Sequence, residues 1–191
     1  MKLIFATNNK HKLQEIQSLI GDHIEIVSLS DMGFNEDIPE TGSTIEFNAS
    51  QKSFYIYNKF GLDCFADDTG LEIAALNGRP GVYSARYAGE DCNFEDNMNK
   101  VLSELKGIKD RKACFRTVIS LIIVGKEIQF EGRVDGRILT EKHGNEGFGY
   151  DPIFQPAGYN QTFAEMPIDL KNSISHRGRA MQKLVQYLSK L

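Results

Sequence analysis

The order of its apolar runs predicts an α/β protein built on a mixed β-sheet. Three observations carry this. An apolar run at Leu3–Ala6 passes through Thr7, Asn8 and Asn9 into helical spacing at Leu13, Ile16, Leu19 and Ile20. Apolar runs of strand length then recur between amphipathic helical segments along the chain. Finally, Cys114–Val124 and Glu127–Val134 flank Gly125-Lys126 as the arms of a hairpin, which excludes a purely parallel sheet.

Leu3–Ala6 reads as a short buried strand, and the helix after it stops at Gly21. That order leaves the backbone N–H groups of Thr7–Lys12 at a helix start, where a phosphate can be held. Glu25–Ser28 follows as a strand and the acidic stretch Asn35–Gly42 as a loop. Ser43 and Glu46 fit a capping box for a helix running toward Gly61, with Ile45, Ala49 and Ile56 on its face and Lys52 inside it. Asp63–Ala66 and Leu71–Leu76 read as strands flanking an Asp67-Asp68-Thr69-Gly70 turn. Asn77–Gly89, broken by NG, RPG and AG, is mostly loop and a candidate joint between two lobes. Phe94, Met98, Val101, Leu102 and Leu105 mark an amphipathic helix ended by Gly107. Glycine-rich loop fills Gly144–Tyr150, and a last helix starts near Ser175 with Ala180, Met181, Leu184, Val185 and Leu188 on its apolar side.

The 191 residues suit one domain over 1–191, large enough to need no disulfide or metal staple. Lys and Arg total 22 against 26 Asp and Glu, a formal charge of -4. That balance argues against a general polyanion binder, and no nucleic-acid partner is expected. It leaves room for one nucleotide in a locally positive cleft. The cysteines, Cys64, Cys92 and Cys114, are odd in number and form no CxxC, as expected of free thiols in a reducing cytoplasm. No apolar run reaches signal-peptide or membrane-spanning character, so no membrane partner is expected.

Several clusters carry chemistry. Thr7, Asn9 and Lys12 bring a hydroxyl, an amide and an ammonium to the first helix start, a possible triphosphate cradle; the plainer reading is a capped helix with a solvated face. Asp67 and Asp68 end the apolar run DCFADD and, as neighbouring carboxylates, need a cation, solvent or strong donors. A hard cation such as magnesium suits them, with Glu40 a candidate second carboxylate, although strand alternation would send Asp67 and Asp68 to opposite faces. Gly144, Gly147 and Gly149 surround Phe148, next to Tyr150 and Asp151: rings to flank a base and a carboxylate to accept from it, or a turn whose aromatics fill core. Ser175-His176-Arg177 sets basic groups at a helix start, where the dipole disfavours cations and a bound anion would relieve the conflict. The histidines form no HExxH, and GxSxG and GxxxxGK[ST] are absent.

In one continuous order the chain reads ATNNKHK at 6–12, PETG at 39–42, ADDTGL at 66–71, GRPGVYSARYAGE at 78–90, GFGYDPIF at 147–154 and KNSISHRG at 171–178. With these strings it resembles the inosine triphosphate pyrophosphatase family, bacterial type, over nearly its whole length. The resemblance implies an elongated, two-lobed α/β protein with a central mixed sheet and a cleft between the lobes, usually a homodimer. It implies magnesium-dependent hydrolysis of non-standard purine nucleoside triphosphates (ITP, dITP, XTP) to the monophosphate and pyrophosphate. Thr7, Asn9 and Lys12 match the family's phosphate-binding start, and Asn8, Lys10 and His11 between them join the substrate-binding candidates. Glu40 and Asp68 match magnesium carboxylates, and Asp68 also the general base. Thr69 matches a substrate hydroxyl position and Lys52 a lysine near the phosphates. Phe148, Gly149, Tyr150 and Asp151 resemble the base-recognition segment. Lys171, His176 and Arg177 resemble residues closing round base and phosphate. Four positions depart from the common pattern: Asn8 for a glycine, Phe47 for a glutamate and Ser53 for an alanine in one helix, and Glu146 for a glycine.

Competing readings are a pyrophosphatase of broader specificity, a catalytically silent nucleotide sensor, and a single-strand nucleic-acid module, the last opposed by the acidic balance.

Overall fold

The computed structural model describes residues 2–20, 24–34 and 36–190. The predicted helix stop at Gly21, and His23 and Asn35, lie outside them. Strand β1 (Lys2–Phe5) leads into helix α1 (Lys10–Leu19) and strand β2 (Glu25–Ser28). Helix α2 (Ile45–Phe60) precedes β3 (Cys64–Ile73) and the short β4 (Pro80–Gly81). Then come α3 (Phe94–Glu104), β5 (Lys112–Ile123), β6 (Lys126–Ile138), β7 (Phe154–Pro156), α4 (Ile168–Ile174) and α5 (His176–Leu188). The strands form one mixed sheet in the order β2-β1-β3-β5-β6-β7, with β4 on β3. Strand β1 runs parallel to β2 and to β3, with Ile4 opposite both Val27 and Cys64. Strands β4 and β7 pair antiparallel to β3 and β6.

The hairpin between β5 and β6 turns on Val124 and Gly125, both at positive φ, the conformation that suits the twist of a two-residue connection. The arms are longer than the pattern predicted because polar Lys112, Arg133, Asp135 and Arg137 alternate with buried residues and extend the strand period.

Two corrections bear on the site. The predicted Asp67–Gly70 turn is absent: β3 is one strand of 10 residues through all four. Cations supplied by α1, α2 and α5 pair with the two aspartates where they stand, so no turn is needed to expose them. The cap of α2 is Thr44, whose Oγ1 accepts from Phe47 N–H at 3.1 Å, one residue beyond the expected Ser43. The helix does end at Gly61, in the left-handed region at φ 64. Helix α4, behind Pro167, had no prediction, while α5 begins one residue after Ser175.

The chain divides into two compact units. The first comprises Met1–Asp68, Thr117–Gly132 and Arg177–Leu191. Its strand β1 is buried on both faces, as a central parallel strand must be. Leu3 and Phe5 join Ile16, Phe65, Leu121, Met181 and Leu184, while Ile4 and Ala6 join Leu29, Ile56, Cys64 and Ile122. Phe5 stacks on Phe65 at 4.6 Å between ring centroids. The second unit comprises Thr69–Arg116 and Arg133–His176. Its core gathers Leu71, Val101, Leu105, Phe115, Ile138, Tyr150, Phe154 and Phe163.

Candidate active site

Asp67 and Asp68 are adjacent on β3, and the strand's alternation gives them different partners. Asp67 takes Lys12 Nζ at 2.9 Å on Oδ1 and Arg177 Nε at 3.3 Å on Oδ2. Arg177 also donates from Nη1 to Glu15. Glu15, Asp67 and Arg177 are all buried, and burying such charges is tolerable only because they pair. Burial by itself would raise the pKa of Asp67, yet Lys12, Arg177 and Lys52 outweigh it and hold the carboxyl well below the usual carboxylate range. Burial works against the charge of Arg177 too, but Glu15 and Asp67 raise its pKa on balance. Lys12 is shifted the other way, down, by burial and by Lys52 and Arg177, which Asp67 offsets only in part. The anion expected at the start of α5 is thus supplied within the protein by Glu15 and Asp67.

Asp68 meets Lys52 of α2, with Nζ at 3.1 Å from Oδ1. The same ammonium lies 2.5 Å from Glu40 Oε1, so Lys52 links the two carboxylates singled out in the sequence. Burial works against the lysine charge, but Asp68, Glu40 and Asp67 raise its pKa on balance. Asp68 moves opposite to Asp67: burial raises its pKa, Glu40 adds to this, and Lys52 and Lys12 offset it only in part. Its second oxygen, Oδ2, is buried with no hydrogen-bond partner among the described residues. Neighbouring carboxylates with pKa values driven apart are the arrangement that divides anchoring from proton transfer. Among the described residues no three His, Cys, Asp or Glu side chains group to hold a metal. Two carboxylates with an unsatisfied buried oxygen nevertheless fit magnesium, which takes one or two carboxylates and completes its shell with water and phosphate oxygens.

At the start of α1, Asn9 is the cap, and its Oδ1 accepts from the N–H groups of His11 and Lys12 at 3.0 and 3.2 Å. Those two groups are therefore committed. Thr7 Oγ1 accepts from Asn9 N–H. Asn8 and Lys10 are exposed and, with Thr7 and Asn9, face Ser28 and Ser30 across a pocket of about 330 Å³. His11 is exposed. The positive-φ residues do not include Asn8, so its backbone does not demand glycine.

In the second unit Asp151 Oδ2 accepts from Phe148 N–H at 2.8 Å and from Lys171 Nζ at 2.7 Å. The Lys171 ammonium also lies 5.2 Å from the centre of the Phe148 ring. Gly149 is at φ 65. Tyr150 is in the core, its hydroxyl donating to Ser84 C=O at 2.8 Å, and burial pushes its phenol above the ordinary range. His176 is buried and stacks on Phe115 at 4.5 Å. Thr69 is half-buried on β3. Glu146 is exposed, and its N–H donates to Ala164 C=O.

Three residues escaped the sequence reading. Glu15 lies three residues after Lys12 on α1, a spacing that could have paired them on one helix face. Asp67, read with Asp68 as a carboxylate in need of a cation or strong donors, was given no role of its own, though two cations converge on it. Phe94, read as a core position of α3, is partly exposed with its ring 6.0 Å from that of Phe148. Nothing local in the sequence signals that contact.

A family model described as the Ham1 family matches residues 3–187. A dITP/XTP pyrophosphatase of Flavobacterium johnsoniae is 56% identical over 189 residues, covering 99% of this chain and 98% of that protein. A dITP/XTP pyrophosphatase of Porphyromonas gingivalis is 51% identical over 188 residues, covering 98% and 97%. Among solved structures, a HAM1 protein from Coxiella burnetii matches with TM-score 0.92 at 38% identity, over 100% of each chain. The Staphylococcus aureus Ham1 protein matches with TM-score 0.90 at 38% identity, over 100% of this chain and 99% of that one.

Proposed function

This chain belongs to the Ham1 family, and from that membership and the geometry above we propose that it hydrolyses dITP, ITP and XTP to the nucleoside monophosphate and pyrophosphate. The observation that carries the chemistry is the split pair on β3. Asp67 is kept ionised between Lys12 and Arg177, while Asp68, with one buried oxygen that has no hydrogen-bond partner among the described residues, is the acceptor. Asp68 accepts a proton from a water whose oxygen forms a bond to the α-phosphorus. The bond from that phosphorus to the bridging oxygen breaks, and the oxygen leaves with pyrophosphate. Glu40 and Asp68 would hold magnesium, which supplies positive charge to the phosphate oxygens when bound.

Charge supports the metal requirement. Glu15, Glu40, Asp67 and Asp68 face Lys12, Lys52 and Arg177, four carboxylates against three cations. Without a divalent ion that set would repel a triphosphate; with one its sign reverses. Lys12 and Lys52 then grip phosphate oxygens, Arg177 holds Asp67 beside them, and Thr7, Asn8, Asn9, Lys10 and His11 line the triphosphate's path. Thr69 adds a hydroxyl. Phe148 flanks the base beside Gly149, with Tyr150 as its backing. Lys171, held by Asp151, is a donor suited to a C6 keto oxygen, which dITP and XTP carry and ATP does not. His176 closes the same side.

The elongated two-lobed shape, the cleft, the homodimer and the cytoplasmic setting belong to this proposal and draw their support from family membership. No described helix is long and apolar enough to cross a membrane.

A timed assay with dITP, ITP, XTP, GTP and ATP, with and without magnesium, tests the reading when it resolves pyrophosphate from orthophosphate. Pyrophosphate from the first three, dependent on metal, is expected, and Asp68→Asn should slow turnover about 10²–10⁴-fold. Orthophosphate with a nucleoside diphosphate would overturn the cleavage position.

A further inference from the structure

The segment that carries Glu40 has no secondary structure, yet it is fastened to α2 at three successive residues. Lys52 Nζ reaches Glu40 Oε1 at 2.5 Å. Gln51 holds Thr41 twice: its Oε1 accepts from Thr41 N–H at 2.9 Å, and its Nε2 donates to Thr41 Oγ1 at 3.0 Å. Asn48 Oδ1 accepts from Gly42 N–H at 2.8 Å. Asn48, Gln51 and Lys52 stand at i, i+3 and i+4, so one face of the helix makes all three attachments. The approach is close enough to need glycine: a Cβ on Gly42 would lie 2.3 Å from the Phe47 ring and 2.7 Å from Asn48 Oδ1. The helix is a firm base, because Ile45, Asn48, Ala49, Lys52, Ser53 and Ile56 are buried.

We infer that Gln51, seconded by Asn48, is a positioning residue that fixes the backbone at Thr41 and Gly42 and thereby sets the Glu40 carboxylate for the divalent cation. The inference rests on the proposed role of Glu40 as a metal ligand. Lys52 alone can draw in the Glu40 carboxylate but cannot fix the backbone behind it, since a charged pair has little directional preference. An amide that donates and accepts on one residue does fix it. Gln51 thus acts on the metal through Glu40, and its loss should weaken metal binding more than it slows the chemistry at saturating metal.

The test uses the full chain and Mn²⁺ titrated calorimetrically in the presence of the α,β-methylene analogue of ITP, which cannot be cleaved. Gln51→Leu removes both hydrogen bonds at similar volume, and Thr41→Val removes the hydroxyl contact only. Gln51→Leu should weaken Mn²⁺ binding about tenfold and raise by the same factor the metal needed for half-maximal turnover, with Thr41→Val smaller in both. Gln51→Glu, which keeps an acceptor for Thr41 N–H, should recover part of the loss. Mn²⁺ binding by folded Gln51→Leu equal to that of the parent would overturn the inference. Glu40→Gln separates the two levels. If it abolishes metal binding while Gln51→Leu does not change it, only the positioning role falls; if it too binds normally, the role of Glu40 falls with it.

Discussion

Asp67 binds the cations of two helices to the sheet, and its ionisation state should be visible in the acid stability of the whole chain. Its pKa is depressed below the ordinary value of 3.8. A depressed carboxyl contributes stability that is fully present above its unfolded pKa and is lost as pH falls through the folded one. The unfolding free energy from urea titrations should therefore fall steeply below about pH 4 in the parent, with Asp67→Asn flatter there. At neutral pH the same variant should be less stable by about 3–5 kcal/mol, because Lys12 and Arg177 lose the charge they share. Equal slopes below pH 4 would show that Asp67 is not held ionised. Much of this site was legible at the level of residue type: Lys12, Lys52, Glu40, Asp68 and Arg177 all enter the ion pairs described. Glu15 was not, because a buried glutamate beside Leu13 and Ile16 looks, in one dimension, like the solvated edge of an amphipathic helix.

At the scale of elements, β3 is the instructive case. Asp-Asp-Thr-Gly has the composition of a turn, and local preference breaks the strand there. The strand continues because Lys12 and Arg177 from α1 and α5 take one carboxylate and Lys52 from α2 the other, partners far away in sequence. The hairpin, the Gly61 stop and the start of α5 were readable because each depends on residues next to one another. Helix α4 has only 7 residues, too few to establish a helical period. The loop before Asp151 is the counterpart of β3 in the second unit. Gly147 is at φ 76, and a Cβ there would lie 2.2 Å from Asp151 Oδ2, the oxygen that holds Phe148 N–H and Lys171. Gly147→Ala should cost about 1–3 kcal/mol in a thermal or urea melt, through backbone strain. It should also raise KM for dITP more than it lowers kcat, since it displaces the carboxylate that orders the base segment. Unchanged KM in the folded variant would detach that loop from base recognition.

At the scale of the molecule, an acidic chain is proposed to handle a strongly acidic substrate. The total of -4 argues against loose attraction to polyanions, and in the ion-pair network around β3 the four carboxylates outnumber the three cations. Selection then falls to a metal-bearing phosphate group and the base: the C6 keto oxygen separates dITP and XTP from ATP, while GTP, which shares that oxygen, differs at its 2-amino group. The α/β class and the mixed sheet were readable from the sequence because hydrophobic period and hairpin chemistry are local. The division into two units, each assembled from separated stretches of chain, was not, since no change of composition marks where the chain passes between them. In the proposed reaction water, directed by Asp68, attacks the α-phosphorus. Turnover of dITP in ¹⁸O-enriched water, with products analysed by mass spectrometry, tests it most directly. The label should appear in the nucleoside monophosphate and be absent from pyrophosphate; label in pyrophosphate would place the attack on the β-phosphorus and contradict the account.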